Sequence, residues 1–379
     1  MNRTTTQVLS ILPLLAYLVF LLVFALGHPL YTWDTVPYTA VSLEGKHDDA
    51  SSLHSQTYNY LSSNLSPEQF GGLIAGPYAR DLYEDPDHFS SQLDMYRIKP
   101  AYIAALRTLG AAGIEPIQAL GLMSLIPGML ICLLLFAWLR HYCSTFDAST
   151  LVVIFAVAAR ITDLSRVPVP DTFSALIVFS ALYALLCKRW HALGASLLIV
   201  SVFVRTNNIL YAALVLLCLT WAAYSLRKNN RCGDYGDWRI FAGSLLASCI
   251  AYLVISSAYD YQWWRLFYHT FIESQFDISA FSQAFSFTAY WTVVTDALRQ
   301  VVAGGAYLVT TLPLFLLVFF IGMRGEWRGL SEYDGLKMLT ILTLPVFAAF
   351  LVLFPLVLGW DRFFLPFYGL ITVFAASRR

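Results

Sequence analysis

Six uncharged apolar runs constrain the fold of this chain more than any other feature of its sequence. A helix needs about 20 apolar residues to cross the hydrocarbon of a bilayer, and in that medium every backbone polar group must be paired within the spanning structure. Because each run has about this length, each predicts a membrane-spanning helix. The runs cover residues 8–27, 117–139, 206–226, 240–259, 300–323 and 338–360.

The composition also indicates a membrane protein. Of the 379 residues, 58% are hydrophobic and 13% are charged, against about 45–50% apolar residues in a soluble domain. The 24 basic and 24 acidic residues cancel, which gives no sign of the basic surface of a nucleic-acid-binding protein. We therefore predict an all-α, polytopic integral membrane protein with no nucleic-acid partner.

Shorter apolar runs at 148–159, 172–187, 192–204 and 363–377 are ambiguous alone, because a buried soluble helix has the same length. Basic clusters follow every second apolar run when the short runs are counted, and cytoplasmic loops are the ones enriched in Lys and Arg. This pattern predicts about ten transmembrane helices with both termini cytoplasmic. The basic residues are Arg3 before the first run, then Arg140 with His141, Lys188 with Arg189, Arg227 with Lys228 and Arg231, Arg324 with Arg328, and Arg378 with Arg379.

The predicted topology leaves residues 28–116 as a large first extracytoplasmic loop and residues 260–299 as a second one. Residues 48–70 and 101–114 of the first loop mix polar and apolar side chains, which favours amphipathic helices at the membrane surface. We expect one membrane-embedded domain over residues 1–379, without a soluble C-terminal domain.

The predicted extracytoplasmic edge gathers ten basic side chains, against the usual loop bias. Several adjoin apolar runs, where a charge without an anionic partner is costly. A lipid phosphate would be such a partner, because Arg offers it a planar, bidentate fork; the alternative is pairing with acidic residues on the same side. The basic residues are Arg80, Arg97, Lys99, Arg107, Arg160, Arg166, Arg205, Arg265, Arg299 and Arg362, and the acidic ones are Asp163, Asp171, Asp260 and Asp361.

Asp34 is the first acidic residue of the chain and follows the first apolar run by a few residues. If a helix begins there, Asp34 is its N-cap, with Pro37 in the first turn. The functional alternative is a general base, because a carboxylate at the boundary between water and membrane can take a proton from an acceptor hydroxyl or amine.

Three short motifs stand out: "WDTVPYTA" at 33–40, "YRIKPAYIAAL" at 96–106 and "DRFFLPFYGL" at 361–370. They resemble motifs of the GT-C superfamily of membrane glycosyltransferases, especially its lipid-linked aminoarabinose and protein mannosyl transferases. The order of an apolar anchor, a first acidic motif, a long external segment and a Lys-Pro motif is similar to that of the family. The chain departs from it in having one carboxylate in the first motif and Ala101 in place of a second Pro.

The resemblance implies roles for single residues. Asp34 corresponds to the acidic residue that activates the acceptor, Tyr38 to the aromatic residue four positions on, Lys99 to the cation that holds the donor phosphate, and Arg362 to a further phosphate contact. Trp263 is a candidate for stacking on a sugar ring, with a membrane-interface anchor as the alternative. The remaining candidate substrate-binding residues are Arg97, Tyr102, Asp163, Arg166, Asp171, Arg205, Asn208 and Arg265, where Asn208 has the alternative of satisfying a helix end.

These observations predict an inverting-type glycosyltransferase of a bacterial inner membrane. By the resemblance, it moves a sugar from a polyprenyl-phosphate-linked donor to an extracytoplasmic glycan, lipid or protein of the cell envelope. The absence of a Gly-rich phosphate loop argues against a nucleotide site, and no bound cofactor or metal-ligand set is predicted. The acidic stretch 81–94 is interpreted as a solvated loop with helix caps rather than a divalent-metal site.

Two other functions fit the same residues. A transporter or flippase for a lipid-linked or anionic solute would use the same arginines, but it needs access from both faces of the membrane. The charge-free runs at 117–139, 206–226 and 338–360 favour chemistry on one side. A relative that binds polyprenyl phosphate without transferring a sugar is the second alternative.

Overall fold

The computed structural model of the chain describes residues 3–44, 49–228, 237–303, 332–359 and 361–377. Within these ranges the regular elements are helices and no strand occurs, which confirms the predicted all-α fold for this part of the chain. The predicted features outside the described ranges are the apolar run 300–323 from residue 304 onward and the basic residues Arg231, Arg324, Arg328, Arg378 and Arg379.

The helices are numbered in chain order. In the described ranges they are α1 (Arg3–Gly27), α2 (Thr35–Leu43), α3 (Ala50–Asn64), α4 (Pro67–Leu73), α5 (Pro77–Glu84), α6 (Pro86–Gln92), α7 (Asp94–Arg97), α8 (Pro100–Ala111), α9 (Pro116–Leu139), α10 (Thr145–Ala158), α11 (Ile161–Leu164), α12 (Asp171–Leu186), α13 (His191–Val204), α14 (Ile209–Lys228), α15 (Trp238–Ala258), α16 (Trp263–Phe271), α17 (Phe287–Ala303), α18 (Glu332–Ile341), α19 (Thr343–Leu353) and α20 (Asp361–Ala376). Short 3-10 turns occupy Thr206–Asn208 and Val357–Gly359.

Five helical stretches in the described part of the chain are long and apolar enough to cross a membrane. They coincide with five of the six long apolar runs, and the four short runs form helices of 10–17 residues. The structure thus confirms apolar membrane-type helices, while ten spans and their orientation stay predictions. The five stretches are Leu9–Gly27, Pro116–Leu139, Thr206–Ser225, Trp238–Ala258 and Gly335–Leu353.

Prolines divide the predicted first loop into short helices. Proline favours the first helical position, because its missing N–H is one that no helical acceptor would use there and its φ already suits a helix. Ser66 adds a capping box with Gln69, which pairs two backbone N–H groups that the first turn leaves open. The described helices that begin at a proline are α4, α5, α6, α8 and α9, with Pro67, Pro77, Pro86, Pro100 and Pro116.

Two hydrophobic cores hold the described residues together. The larger core is formed by the long and the shorter apolar helices together. The second is built by α2–α8 against the first turns of α9, where Ala119, Leu120 and Met123 are buried, and it contains the fully buried rings of Phe89 and Tyr102. The predicted first loop is therefore a packed helical layer at one end of the apolar helices, rather than a set of separate surface helices.

Arg107 shows how α8 joins this layer. The sequence places Arg107 within an apolar face of the 101–114 segment. Its guanidinium donates to the carbonyl oxygen of Val41, at 3.0 Å, and lies 3.1 Å from a carboxylate oxygen of Glu44. The charge is thus satisfied by the C-terminal end of α2, which lets the apolar side of α8 pack inward.

The helix at the end of the 338–360 run stops before the run does. It ends at Leu353, and Phe354 takes φ −151° and ψ 75°. Phe354 precedes Pro355, and the proline ring disfavours helical backbone in the residue before it. This break turns the chain at the same end of the apolar helices as α2–α8.

Candidate functional site

A cavity of about 350 Å³ lies where α2–α8 meet the ends of the apolar helices. It falls within the usual size range of small-molecule sites, about 300–1,000 Å³. Asp34, Lys99 and Arg205, which lie far apart in the sequence, all line it. The structure thus brings together the candidate base and two of the candidate phosphate-binding cations.

Asp34 directly precedes α2 and holds its N-cap position, as the sequence predicts, but its side chain does not cap the helix. Its backbone is helical rather than extended, with φ −55° and ψ −22°, and its side chain makes no capping hydrogen bond. A capping side chain must turn back to accept from the N–H groups of the first turn. Instead, Asp34 Oδ1 accepts a hydrogen bond from the Tyr96 hydroxyl at 3.0 Å, and the residue lines the cavity. The predicted N-cap position is therefore correct, whereas the capping hydrogen bond of the Asp34 side chain is not formed.

Lys99 stands at the entry to α8, where Pro100 begins the helix. Its Nζ donates to the carbonyl oxygen of Met95 at 3.2 Å and lies 4.9 Å and 5.1 Å from the ring centroids of Tyr96 and Tyr38. The negative faces of these rings attract the ammonium. Among the described residues, no carboxylate lies within 4.0 Å of Lys99.

Burial and the neighbouring charge of Arg205 lower the pKa of Lys99 to about 7, with Asp34 acting in the opposite direction. Burial penalises the charged ammonium, and the tyrosine rings compensate only in part. Because an anion next to Nζ would favour the charged form, the site around Lys99 suits an anionic ligand.

Arg205 reaches the cavity because the chain breaks its helix there. α13 ends at Val204, and Arg205 has extended backbone with φ −155° and ψ 117° before the Thr206–Asn208 turn. Its guanidinium carbon lies 4.3 Å from the ring centroid of Phe363. Burial and the positive charge of Arg362 lower the pKa of Arg205 to about 10, so the side chain remains charged at neutral pH.

Asp171 is shared by two arginines behind the cavity. Arg205 Nη1 contacts Asp171 Oδ1, and Arg362 Nη1 lies 3.5 Å from Asp171 Oδ2. Asp171 is only 2% exposed, and a carboxylate buried to that degree needs cationic partners. Two cations share one anion, so the group carries a surplus positive charge, of which Arg205 is the part that lines the cavity.

Three of the candidate side chains do not line the cavity but pack around Lys99 and the turn at Arg205. They are Tyr38, Tyr102 and Asn208. Tyr38 is 2% exposed and its ring packs edge-on against those of Tyr96 and Tyr102, at centroid distances of 5.0 and 5.2 Å. Asn208 Nδ2 donates to Ser174 Oγ and to the carbonyl oxygen of Ser201, each at 2.8 Å. These side chains hold Lys99 and the Arg205 turn in position.

Arg97 and Arg265 have acidic partners and do not line the cavity. Arg97 contacts Glu44 and lies 2.7 Å from Asp94. Arg265 Nη1 lies 3.1 Å from Asp260. For these two candidates the structure shows the pairing alternative.

Asp163, Arg166 and Trp263 also lie outside the cavity wall. Asp163 accepts from Arg160 at 2.8 Å, and Arg166 Nε donates to the carbonyl oxygen of His28 at 2.5 Å. The Trp263 indole N–H donates to the carbonyl oxygen of Leu353 at 2.8 Å, so this side chain ties α16 to the end of α19.

Considered together, the ten cations of the predicted outer edge separate into two kinds. All nine arginines have an acidic side chain within 4.0 Å, and the side chain of Asp361 is outside what the structure describes. Lys99 alone has no such partner among the described residues. The structure thus singles out Lys99, which the resemblance assigns to the donor phosphate.

Two further side chains line the same cavity and were not among the sequence candidates, namely Tyr78 and His269. His269 could have been found from spacing. It lies three residues after Leu266 and directly before Thr270, and residues three and four apart share one face of a helix; all three line the cavity from α16. Tyr78 had no comparable signal, because it meets His269 only through the tertiary fold.

The acidic stretch 81–94 has the capping role that the sequence favours. Asp85 accepts from the backbone N–H groups of Asp87 and His88 at the start of α6, at 2.9 and 3.1 Å. His88 Nδ1 lies 2.7 Å from Asp81 Oδ2. In the described part of the chain, no group of three or more His, Cys, Asp or Glu side chains is arranged to hold a metal ion.

Comparisons of the chain with protein-family models, curated proteins and solved structures gave no match. The resemblance to GT-C glycosyltransferases therefore stays a prediction, and the chemistry available in the cavity follows from the residues that line it. A carboxylate that can accept a proton faces the same space as two cations that can hold an anion.

Proposed function

We propose that the chain is a membrane glycosyltransferase that moves one sugar from a lipid-phosphate donor to an acceptor hydroxyl or amine. The observation that carries the proposal is the convergence of Asp34, Lys99 and Arg205 on one cavity of about 350 Å³. Lys99 has no carboxylate partner among the described residues, so it is available to an anionic group. The cavity lies at the ends of apolar helices, which places it near the membrane surface, where the headgroup of a donor with a lipid tail would lie.

The phosphate of the donor binds between Lys99 and Arg205. The bond between the anomeric carbon and the phosphate oxygen breaks during transfer, and its electron pair leaves with the lipid phosphate. The phosphate charge grows from about −1 in the diester toward −2 in the monoester. Fixed cations stabilise this developing charge more than the ground state, which lowers the barrier.

Asp34 takes the proton of the acceptor as the acceptor oxygen or nitrogen forms its bond to the anomeric carbon. Tyr96 orients the carboxylate through its 3.0 Å hydrogen bond. Burial, with the nearby charge of Asp34, raises the pKa of Tyr96 well above its ordinary value, so the phenol remains a donor at neutral pH. Direct displacement from the face opposite the phosphate inverts the anomeric carbon.

The positions of the helix ends support a site on one side of the membrane. The cavity and the Asp171 group behind it use residues just after α1, at the start of α12, after α13 and at the start of α20. The charge pattern predicts that all these ends are extracytoplasmic. A transfer site there needs no path through the cytoplasmic halves of the helices, which distinguishes it from a transporter.

Sugar transfer from a radiolabelled polyprenyl-phosphate sugar pool tests the proposal. Membranes containing the wild-type protein should transfer label to a non-donor fraction, whereas Asp34→Asn should bind the donor and transfer at least about 10²-fold less, the usual contribution of a general base. Lys99→Met should lose donor binding.

Asp296→Asn is the matched control, since this carboxylate pairs with Arg299 at 2.7 Å and is half exposed. It should transfer like the wild type. If the wild type binds the lipid without transfer and labelled solute crosses the bilayer instead, the transferase proposal fails and the transporter alternative replaces it.

A further inference from the structure

One wall of the cavity contributes no group to the proposed transfer step. Tyr78 of α5 and His269 of α16 lie side by side there, with ring centroids 5.4 Å apart. Gln92 of α6, which is 1% exposed, joins α5 to the segment that follows α16: it accepts from the Tyr78 hydroxyl at 2.9 Å and donates to the carbonyl oxygen of Phe276 at 2.9 Å. Both predicted extracytoplasmic loops, 28–116 and 260–299, thus contribute to this wall, and the buried amide of Gln92 connects them.

The hydrogen bonds determine which nitrogen of His269 carries the proton. Nδ1 accepts from the backbone N–H of Gln275 at 2.9 Å, so the proton of the neutral ring is on Nε2. The Tyr78 hydroxyl already donates to Gln92, so its oxygen is the acceptor for Nε2–H. That contact is 3.4 Å long, well beyond the usual 2.9–3.0 Å. The Nε2–H group is therefore weakly held and available to a ligand oxygen.

Burial lowers the pKa of His269 to about 4, so the ring is neutral at pH 7. A neutral N–H donor suits a hydroxyl or ether oxygen rather than an additional anionic group, because charge-assisted bonds to anions favour cationic donors.

An aromatic surface continues this wall. Trp33 lines the cavity and meets Tyr78 edge-on, at a centroid distance of 5.6 Å and an interplanar angle of 69°. An indole offers an apolar face next to a polar rim, which matches a sugar ring with its C–H face and its hydroxyl edge. Trp33 adjoins Asp34 in the chain, so the aromatic surface lies next to the candidate base.

The charges along the cavity limit the kind of sugar. Among the described residues that line it, Asp34 is the one carboxylate, and the cations are Lys99 and Arg205. An amino sugar would bring a further cation to a cavity whose single carboxylate already has the role of base. Burying that cation without a partner is costly.

We propose that Trp33, Tyr78 and His269 form the donor-sugar subsite and select an uncharged monosaccharide. This inference rests on the proposed transferase function and names its substrate class. The sugar ring lies against Trp33, with one hydroxyl oxygen accepting from His269 Nε2–H and another hydroxyl donating to the Tyr78 oxygen, while its phosphate lies at Lys99 and Arg205.

Three probes separate the sugar subsite from the phosphate site: polyprenyl phosphate, a neutral hexosyl-phospho-polyprenol and a 4-aminopentosyl-phospho-polyprenol. The protein in detergent should bind the hexosyl lipid more tightly than the aminopentosyl lipid by about tenfold or more, since the amine would remain unpaired. His269→Phe should weaken hexosyl-lipid binding by about 2- to 10-fold, the usual effect of one lost neutral hydrogen bond. It should leave the affinity for polyprenyl phosphate unchanged, which also shows that the variant is folded.

A second pair of variants makes the test independent of one substitution. Tyr78→Phe should weaken hexosyl-lipid binding in the same selective way, and His269→Asp should shift the preference toward the aminopentosyl lipid by supplying a carboxylate. The subsite is refuted if His269→Phe weakens all three lipids equally or none of them, or if the wild type prefers the aminopentosyl lipid. Should the wild type bind none of the three, the transferase proposal itself fails, which is a different result from loss of sugar selectivity alone.

Discussion

The charge on Lys99 should control how donor binding depends on pH. Its pKa of about 7 lies below the ordinary value of 10.5, so the ammonium is fully present only below neutral pH and is lost as pH rises through 7. About half of the protein carries the charge at pH 7, about one tenth at pH 8 and about one hundredth at pH 9. Arg205, with a pKa of about 10, stays largely charged over this range.

The size of the effect follows from the fraction of protein that is competent to bind. If the donor phosphate requires charged Lys99, the apparent dissociation constant is the intrinsic one divided by that fraction. It should increase about fivefold from pH 7 to 8 and about tenfold more from pH 8 to 9, until the pKa of the complex is reached. The affinity should be nearly constant below about pH 6, where Lys99 is already protonated.

The assay is binding of a hexosyl-phospho-polyprenol between pH 6 and 9. A phosphodiester is the right probe, because a phosphomonoester has its own second pKa near about 6 and would titrate in the same range. Lys99→Arg is the matched control: a guanidinium stays charged, so the affinity of this variant should vary little with pH. Lys99→Met should bind weakly at every pH. A wild-type affinity that is flat from pH 7 to 9, or a decline of the same size in Lys99→Arg, would refute the reasoning.

Three further predictions concern the groups around the cavity. Tyr96→Phe removes the hydrogen bond that orients Asp34 and should lower the transfer rate by about tenfold or less while donor affinity stays the same, which steady-state kinetics would show as a change in kcat alone. Lys99→Met should raise the Tm of the ligand-free protein at pH 7, because a partly buried ammonium without an anion is destabilising. The same variant should lose the increase in Tm that donor binding gives the wild type. An unchanged Tm of the ligand-free variant would contradict this. Asp171→Asn should destabilise the protein by about 3–5 kcal/mol, since the two arginines that Asp171 bridges lose their buried anion. Asp296→Asn, in a half-exposed ion pair, should cost about 0–1 kcal/mol. Equal losses of Tm in the two variants would contradict a larger contribution from the buried bridge.

The positions of the helices could be predicted from the sequence because a membrane restricts the structures that an apolar segment can form. A segment in hydrocarbon must pair its backbone internally, so length and apolarity alone indicate a helix. Five of the six long runs appear as helical stretches of sufficient length, and the four shorter runs are helices as well. The end of the last long run was less predictable, because Pro355 stops the helix at Leu353 within apolar sequence.

Only part of the candidate site could be predicted from the sequence. Asp34, Lys99 and Arg205 were identified from short motifs and from charges next to apolar runs, and they do line one cavity. Arg97, Arg265 and others of the same residue type have acidic partners elsewhere. The composition of a loop does not reveal which arginine has a carboxylate within reach, because a pair such as Arg97 and Glu44 depends on how α2–α8 pack.

By itself the sequence determined the class of the protein, the helices that its apolar runs form and the short set of charged residues next to them. These properties follow from local chemistry, in which hydrophobic length and the cost of an unpaired charge act on each segment separately. Only the tertiary structure decided that Asp34 faces Tyr96 rather than capping α2, that Lys99 lacks a carboxylate among the described residues, and that His269 stands beside Tyr78. Those relations join segments of the chain far apart in sequence, and the packing of the helices against each other sets them.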